Sequence, residues 1–126
     1  MNGIYVNKDE GKGCEWYSMS AESYPEAQNG LGDCYAKGIG TVKDEKMAFQ
    51  LYLRSANSRN YQGQYNVGKC YHYGVGIEKD IKEAVNWYEK ALYHGIENVK
   101  IELNELLSSG QLGQHRIDRI RSMLNK

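Results

Sequence analysis

Cysteine and histidine are the residue types with the most chemical potential in this 126-residue chain. Cys70 and His72 stand two positions apart and could begin a zinc site, and Cys34 precedes Cys70 by 36 residues. Structural zinc needs four ligands arranged in close pairs, and Ala36 stands where a second histidine would be required. We therefore expect no metal site, and we expect Cys34 and Cys70 to be small core residues beside a tyrosine.

The histidines offer no catalytic arrangement. His72, His94 and His115 lie at unrelated positions, and none stands with a serine or cysteine in a recognisable nucleophile–base motif. The chain also lacks the glycine-rich loop and the two aspartate motifs of a protein kinase. We expect a protein that is not an enzyme and that needs no cofactor.

Composition argues against two classes of partner. Lysine plus arginine and aspartate plus glutamate both number 16, so the chain lacks the positive charge of a nucleic-acid or membrane-surface binder. No apolar run approaches the roughly 20 residues that span a bilayer, and Met1–Tyr5 does not begin a signal peptide. The three cysteines include no close pair, which predicts no disulfide framework and a cytoplasmic location.

The sequence repeats with a period of 36 residues. Residues 32–35 return as 68–71, and residues 38–40 return as 74–76. The positions that define the repeat are Gly32, Tyr35, Gly38, Gly40, Asp44, Ala48 and Tyr52 in one copy and Gly68, Tyr71, Gly74, Gly76, Asp80, Ala84, Trp87 and Tyr88 in the next. A period of this length is typical of solenoids, in which each unit buries its apolar face by stacking on a neighbour.

Each unit has the pattern of a helical hairpin, with a first and a second helix. Val67 and Tyr71 share one face of the first helix, and Gly68 beside them predicts a close approach of the second helix. Gly74 is placed to end the first helix in the left-handed conformation. Asp80 is placed to cap the second helix, which begins there.

The pattern predicts an all-α fold, an α/α superhelix of seven helices. The predicted helices span residues 9–22, 26–37, 44–57, 62–73, 80–94, 98–109 and 114–125. Residues 1–25 form the second half of a truncated repeat, 26–61 and 62–97 form complete repeats, and 98–126 form a degenerate capping repeat. Together they make one continuous solenoid domain.

The segments 67–71 and 87–91, with Lys79-Asp80 between them, resemble the Sel-one-like repeat (SLR), a relative of the tetratricopeptide repeat. The resemblance covers nearly the whole chain and is weakest after Gly110. It implies a right-handed superhelix whose first helices line a concave face. It also implies an adaptor or scaffold role in signalling, protein quality control or bacterial–host contact.

Within that family, the copies look most like the large arrays of filamentous fungi, which often accompany a kinase domain. A cysteine-rich branch pairs cysteines between the helices of each hairpin. Here the second helices of the complete units carry no cysteine, and only Cys14 lies in the first half-unit. We therefore do not expect the chain to belong to that branch.

The predicted partner-binding residues are the first-helix positions that fall off the apolar stripe. They are Asn29, Asp33, Lys37, Tyr65, Lys69, His72 and Tyr73. Tyr65 and Tyr73 are expected to be exposed, where tyrosine offers a large contact area to a partner protein or peptide. Two functions fit this pattern: a protein-binding scaffold, or a spacer within a longer array that has no ligand of its own.

The N-terminal end of the stack is expected to be open. The helix at residues 9–22 has the features of a second helix whose own first helix is missing. Trp16, Tyr17 and Met19 would then lack a cover on one side. We expect this helix either to fray or to bind a second copy of the chain.

Overall fold

The computed structural model describes residues 8–126, which form seven helices and no strand. The helices are α1 (Lys8–Ser20), α2 (Pro25–Lys37), α3 (Glu45–Asn57), α4 (Tyr61–Tyr73), α5 (Ile81–Tyr93), α6 (Val99–Ser108) and α7 (Gln114–Leu124). The predicted all-α helical solenoid is confirmed, and each helix boundary lies within two residues of its predicted place. None of these helices is long and apolar enough to cross a membrane. Met1–Tyr5, where the prediction about a signal peptide falls, lies outside the described residues.

Consecutive helices pack as hairpins, and the hairpins pack on one another. The most extensive contacts join α2 to α3 and α4 to α5, while α3 also packs on α4. One core cluster lies between α3 and α4 around Phe49 and Val67, and a second lies among α4 to α7 around Tyr88 and Leu103. Tyr71 is packed against both clusters, so the core continues along the stack.

Glycines on the first helices make room for tyrosine rings of the second helices. A Cβ atom at Gly32 would lie 2.7 Å from the Tyr52 ring, and one at Gly68 would lie 2.6 Å from the Tyr88 ring. Both distances are too short for carbon atoms in contact. The predicted close approach of the paired helices is therefore confirmed, and it explains why glycine stands at these positions despite its cost in a helix.

The helix ends follow the local sequence signals. Gly38 and Gly74 end α2 and α4 with φ of 70° and 72°, in the left-handed region that glycine tolerates. The Asp44 side chain accepts a hydrogen bond from the Met47 backbone at 3.0 Å, and Asp80 accepts one from Glu83 at 3.2 Å. Each cap pairs a backbone N–H group that the helix itself leaves unpaired, and so stabilises the first turn of α3 or α5.

A disulfide bond joins Cys14 of α1 to Cys34 of α2, with their Cα atoms 6.1 Å apart. The prediction that the cysteines form no disulfide is therefore wrong. The two residues are 20 positions apart in sequence, but they face each other because α1 packs against α2. Cys70 is free and buried, as predicted for a small core residue.

The repeat explains why a covalent bond fits at this place. Cys14 corresponds to Phe49 at an offset of 35 residues, and Cys34 corresponds to Cys70 at an offset of 36. Phe49 and Cys70 lie in the same core cluster between α3 and α4. The disulfide therefore lies one repeat before the apolar contact of Phe49 with Cys70, at the equivalent position between neighbouring helices.

The outer side of α1 is open in the described part of the chain. Trp16 is 53% exposed, whereas Leu51, its counterpart in the next unit, is 5% exposed. The predicted open side is observed. The disulfide opposes the fraying that we expected there, and self-association stays a prediction.

Gly68→Ala is expected to lower the free energy of unfolding by about 1–3 kcal/mol, because its Cβ would overlap the fully buried Tyr88 ring. Gly13→Ala is the matched control: a Cβ there has no neighbour within 4 Å, and alanine favours the helix by about 1 kcal/mol. Urea unfolding followed by circular dichroism measures both. Equal midpoints for Gly68→Ala and the wild type would contradict the close packing.

Protein purified and unfolded without reductant is expected to expose one reactive thiol, Cys70, and three after reduction. Reduction should lower the free energy of unfolding by about 3 kcal/mol, the size usual for a closed loop of this length. Thiol titration tests the count, and hydrogen exchange should become faster in residues 8–20 while α5 stays protected. Three reactive thiols before reduction would show that the disulfide is absent.

Candidate functional site

A cleft of about 480 Å³ lies between the first helices α2 and α4. Five of the seven predicted binding residues line it: Asn29, Asp33, Lys37, Lys69 and Tyr73. We call this surface the α2–α4 cleft. It draws side chains from two neighbouring repeats, so it exists only where two hairpins are stacked.

Sequence reasoning missed several residues of this cleft. They are Ala36, Tyr52, Gln62, Asn66, Cys70 and Val75. The Asn66 Nδ2 group donates a hydrogen bond of 2.8 Å to Asn29 Oδ1 and so joins the two helices across the cleft. These two asparagines occupy different repeat positions, so the repeat pattern gave no signal for their contact.

Tyr52 connects the core to the cleft. Its ring packs on Gly32, and its hydroxyl donates a hydrogen bond of 2.5 Å to Asp33 Oδ1. Burial, and then the hydrogen bond to Asp33, raise the pKa of Tyr52 far above its ordinary value, so the phenol remains a donor. The Asp33 carboxylate is therefore held in a fixed orientation at the cleft.

Two lysines supply positive charge to the cleft. Lys37 is exposed near the end of α2, and the Lys69 ammonium lies 4.6 Å from the centre of the Tyr65 ring. Within the described part of the chain, ion pairs join Lys43 to Glu45, Lys100 to Glu97, and Arg119 to Glu89, and none includes Lys37 or Lys69. Neither ammonium group is therefore paired with a carboxylate in the described residues, so each can meet a negative group of a ligand.

Tyr65 is not exposed, and our expectation for it is wrong. It is 6% exposed and packs in the core cluster of α4 to α7. Its hydroxyl donates a hydrogen bond of 2.6 Å to Glu102 Oε1 on α6. Burial, and then this hydrogen bond, raise the pKa of Tyr65, so it stays a neutral donor. Tyr65 therefore couples two hairpins and does not reach the cleft.

His72 is also buried and lies outside the cleft. Its Nδ1 atom is 2.8 Å from the Tyr88 hydroxyl, and its ring stacks on Tyr73 with centres 4.1 Å apart. Burial lowers the pKa of His72, against an opposing effect of Glu105 and Glu102, so the ring is neutral near pH 7. His72 thus supports Tyr73, which is 56% exposed at the cleft.

The side chains of the cleft can form hydrogen bonds and ionic contacts with a ligand. Burial raises the pKa of the Cys70 thiol to about 12, so this cysteine is not a thiolate near neutral pH. No group of three metal-ligating side chains gathers in the part of the chain that the structure describes. The cleft contains three amide side chains, two ammonium groups, a fixed carboxylate and an exposed aromatic ring.

Comparison with known proteins identifies related repeats. The Sel1 repeat model matches residues 1–23, 25–60 and 62–96. A Sel1 repeat protein from Oxalobacter formigenes is 40% identical, with a TM-score of 0.69, over 82% of this chain and 77% of its own. Cysteine rich protein B from Helicobacter pylori is 29% identical, with a TM-score of 0.66, over 75% of this chain and 70% of its own.

A larger structure shares the same architecture. A protective antigen of uropathogenic Escherichia coli, which displays an SLR fold, is 25% identical, with a TM-score of 0.77, over 89% of this chain and 24% of its own. No curated protein sequence matches the chain. These three structures are bacterial, and the likeness to fungal arrays stays a prediction.

Acidification is expected to destabilise the fold through His72. Because its pKa is lowered in the folded protein, the unfolded chain binds a proton that the folded chain does not. The free energy of unfolding should therefore decrease as the pH falls below about 6.5, the ordinary pKa of histidine.

Urea midpoints measured between pH 7.5 and 5 test this dependence. His72→Gln should flatten it, since an amide oxygen can still accept from Tyr88 and does not titrate. His115→Gln, at an exposed position of α7, is the control and should keep the wild-type slope. An unchanged slope in His72→Gln would contradict the assignment.

Proposed function

Since the chain belongs to the Sel1 repeat family, whose repeats typically mediate protein–protein interactions, we propose that it is a non-catalytic scaffold. In this proposal an extended segment of a partner protein binds in the α2–α4 cleft. The observation that carries it is the convergence of Asn29, Asp33, Lys37, Lys69 and Tyr73 from two repeats on one groove.

The residue types suit an extended peptide. The exposed amide of Gln62 can donate to and accept from peptide backbone groups, which such a segment leaves unpaired. Tyr73 offers a large ring that is stacked on His72, so little conformational entropy is lost when a partner covers it. The lysines add charge at the rim, which favours selectivity and rapid association.

The disulfide bears on where such a scaffold works. Our cytoplasmic prediction rested on cysteines that form no pair, and the Cys14–Cys34 bond removes that basis. Disulfides persist in oxidising environments and are rare in reducing ones. We therefore favour an oxidising compartment for this protein. A signalling role stays a prediction from the family resemblance.

A second candidate function is a spacer within a longer array. The exposed Trp16, whose counterpart Leu51 is buried, favours it because another hairpin or a second copy of the chain would cover that side. The antigen from Escherichia coli, of which this chain matches 24%, is an SLR structure of greater length. Our division into a half repeat, two complete repeats and a degenerate cap is compatible with either role.

Selection from a random peptide library on the immobilised chain separates these functions. The double variant Lys37→Ser with Tyr73→Ser should weaken binding of the selected peptides on the order of ten-fold or more, since both side chains lie in the cleft. The control is Lys82→Ser with Tyr93→Ser, two exposed positions of α5. Surface changes of this kind usually alter stability by about 0.5 kcal/mol or less each, so both variants should remain folded.

The possible results are distinct. Selected peptides that bind both double variants as tightly as the wild type would show that the α2–α4 cleft is not the binding site. An immobilised chain that enriches no peptide over bare resin would favour the spacer.

A further inference from the structure

One repeat position carries opposite charges on successive first helices. Asp33 of α2, Lys69 of α4 and Glu105 of α6 stand 36 residues apart from one another. Equivalent positions of a repeat face the same side of the stack. The first helices therefore present a negative, a positive and a negative group in turn.

The α2–α4 cleft carries a net positive charge, because two lysines and one aspartate line it. The Tyr52 hydroxyl occupies one oxygen of the Asp33 carboxylate. Lys37 and Lys69 line the same cleft and belong to none of the ion pairs found in the described residues. A ligand group that binds between these two lysines is consequently an anion.

The neighbouring surface of α6 is negative. Glu105 is exposed, with its Oε2 atom 3.3 Å from the Tyr73 hydroxyl, and Glu102 lies behind it against Tyr65. Burial, and then these two carboxylates, raise the pKa of Tyr73. A ligand group beside Glu105 and the Tyr73 ring is consequently a cation.

An apolar side chain fits between the two charged places. Tyr73 lies between the lysines of the cleft and Glu105, and its ring is more than half exposed. The Tyr73 ring therefore offers apolar surface at the boundary between the positive and the negative region.

The spacing of the ligand follows from the geometry of helices and extended chains. Packed helices lie about 8–10 Å apart, and an extended peptide advances about 3.3 Å per residue. One step of the stack therefore corresponds to about three peptide residues. From the middle of the α2–α4 cleft to α6 is about one and a half steps, which corresponds to about four residues.

We infer that the first-helix face recognises an extended peptide in which an acidic residue and a basic residue stand about four positions apart. The acidic side chain binds between Lys37 and Lys69, and the basic one binds at Glu105. This inference rests on the proposed function and adds to it the charge order of the partner.

Peptide selection on single charge-reversal variants tests the inference. The random library is applied to the full chain as wild type, Lys37→Glu, Glu105→Lys and Lys82→Glu, with folding checked by circular dichroism. The wild type should enrich peptides with one acidic and one basic residue about three to five positions apart. Lys82→Glu, on an exposed part of α5, should select the same peptides as the wild type.

The two groove variants should change the selection in opposite ways. Lys37→Glu should remove the preference for the acidic residue and weaken the wild-type peptide about ten-fold, while the preference for the basic residue remains. Glu105→Lys should remove the preference for the basic residue and weaken the wild-type peptide by a similar factor, while the preference for the acidic residue remains. Lys69→Glu provides a second test of the acidic contact.

The remaining outcomes would contradict either this inference alone or the proposed function as well. Peptides that lack the charge pair, yet are lost in the Lys37→Ser with Tyr73→Ser variant, would overturn this inference and leave the proposed function standing. Peptides that bind every first-helix variant as well as the wild type would overturn both. A library that yields no enriched peptide would also overturn both.

Discussion

The contact of a tyrosine ring with a glycine Cα is the constraint on which this structure depends. It brings the first and second helices of each complete hairpin together, at Gly32 beneath Tyr52 and at Gly68 beneath Tyr88. It also determines the position of the tyrosine hydroxyl group. Because the Tyr52 ring passes over Gly32, its hydroxyl reaches the next residue, Asp33, and orients that carboxylate at the cleft. Packing and recognition therefore share one side chain.

The local signals of the sequence were sufficient for the helices and their ends. Gly74 and Asp80 act within a few residues of their own positions, so the end of α4 and the start of α5 could be predicted without knowledge of any neighbour. The cleft was partly predictable for a similar reason. Positions off the apolar stripe of a helix are available for contact unless another element covers them.

The errors arose where a neighbouring unit departs from the repeat. Tyr65 lies off the stripe, but Glu102 of the degenerate last unit accepts its hydroxyl and α6 covers the ring. The disulfide was missed because Cys14 corresponds to Phe49 and so has no cysteine counterpart in the next unit. Contacts that join unequal repeat positions cannot be read from the period.

The disulfide has a mechanical consequence for a stack built in steps. The contact between hairpins is covalent at Cys14 and Cys34, apolar at Phe49 and Cys70, and apolar again at the corresponding Val85 and Leu106. If the chain is pulled from its two ends, the first step cannot separate, and tension is carried to the later ones. An array with such a link does not extend at its disulfide-bonded end. Under tension it separates first at the α3–α4 and α5–α6 junctions.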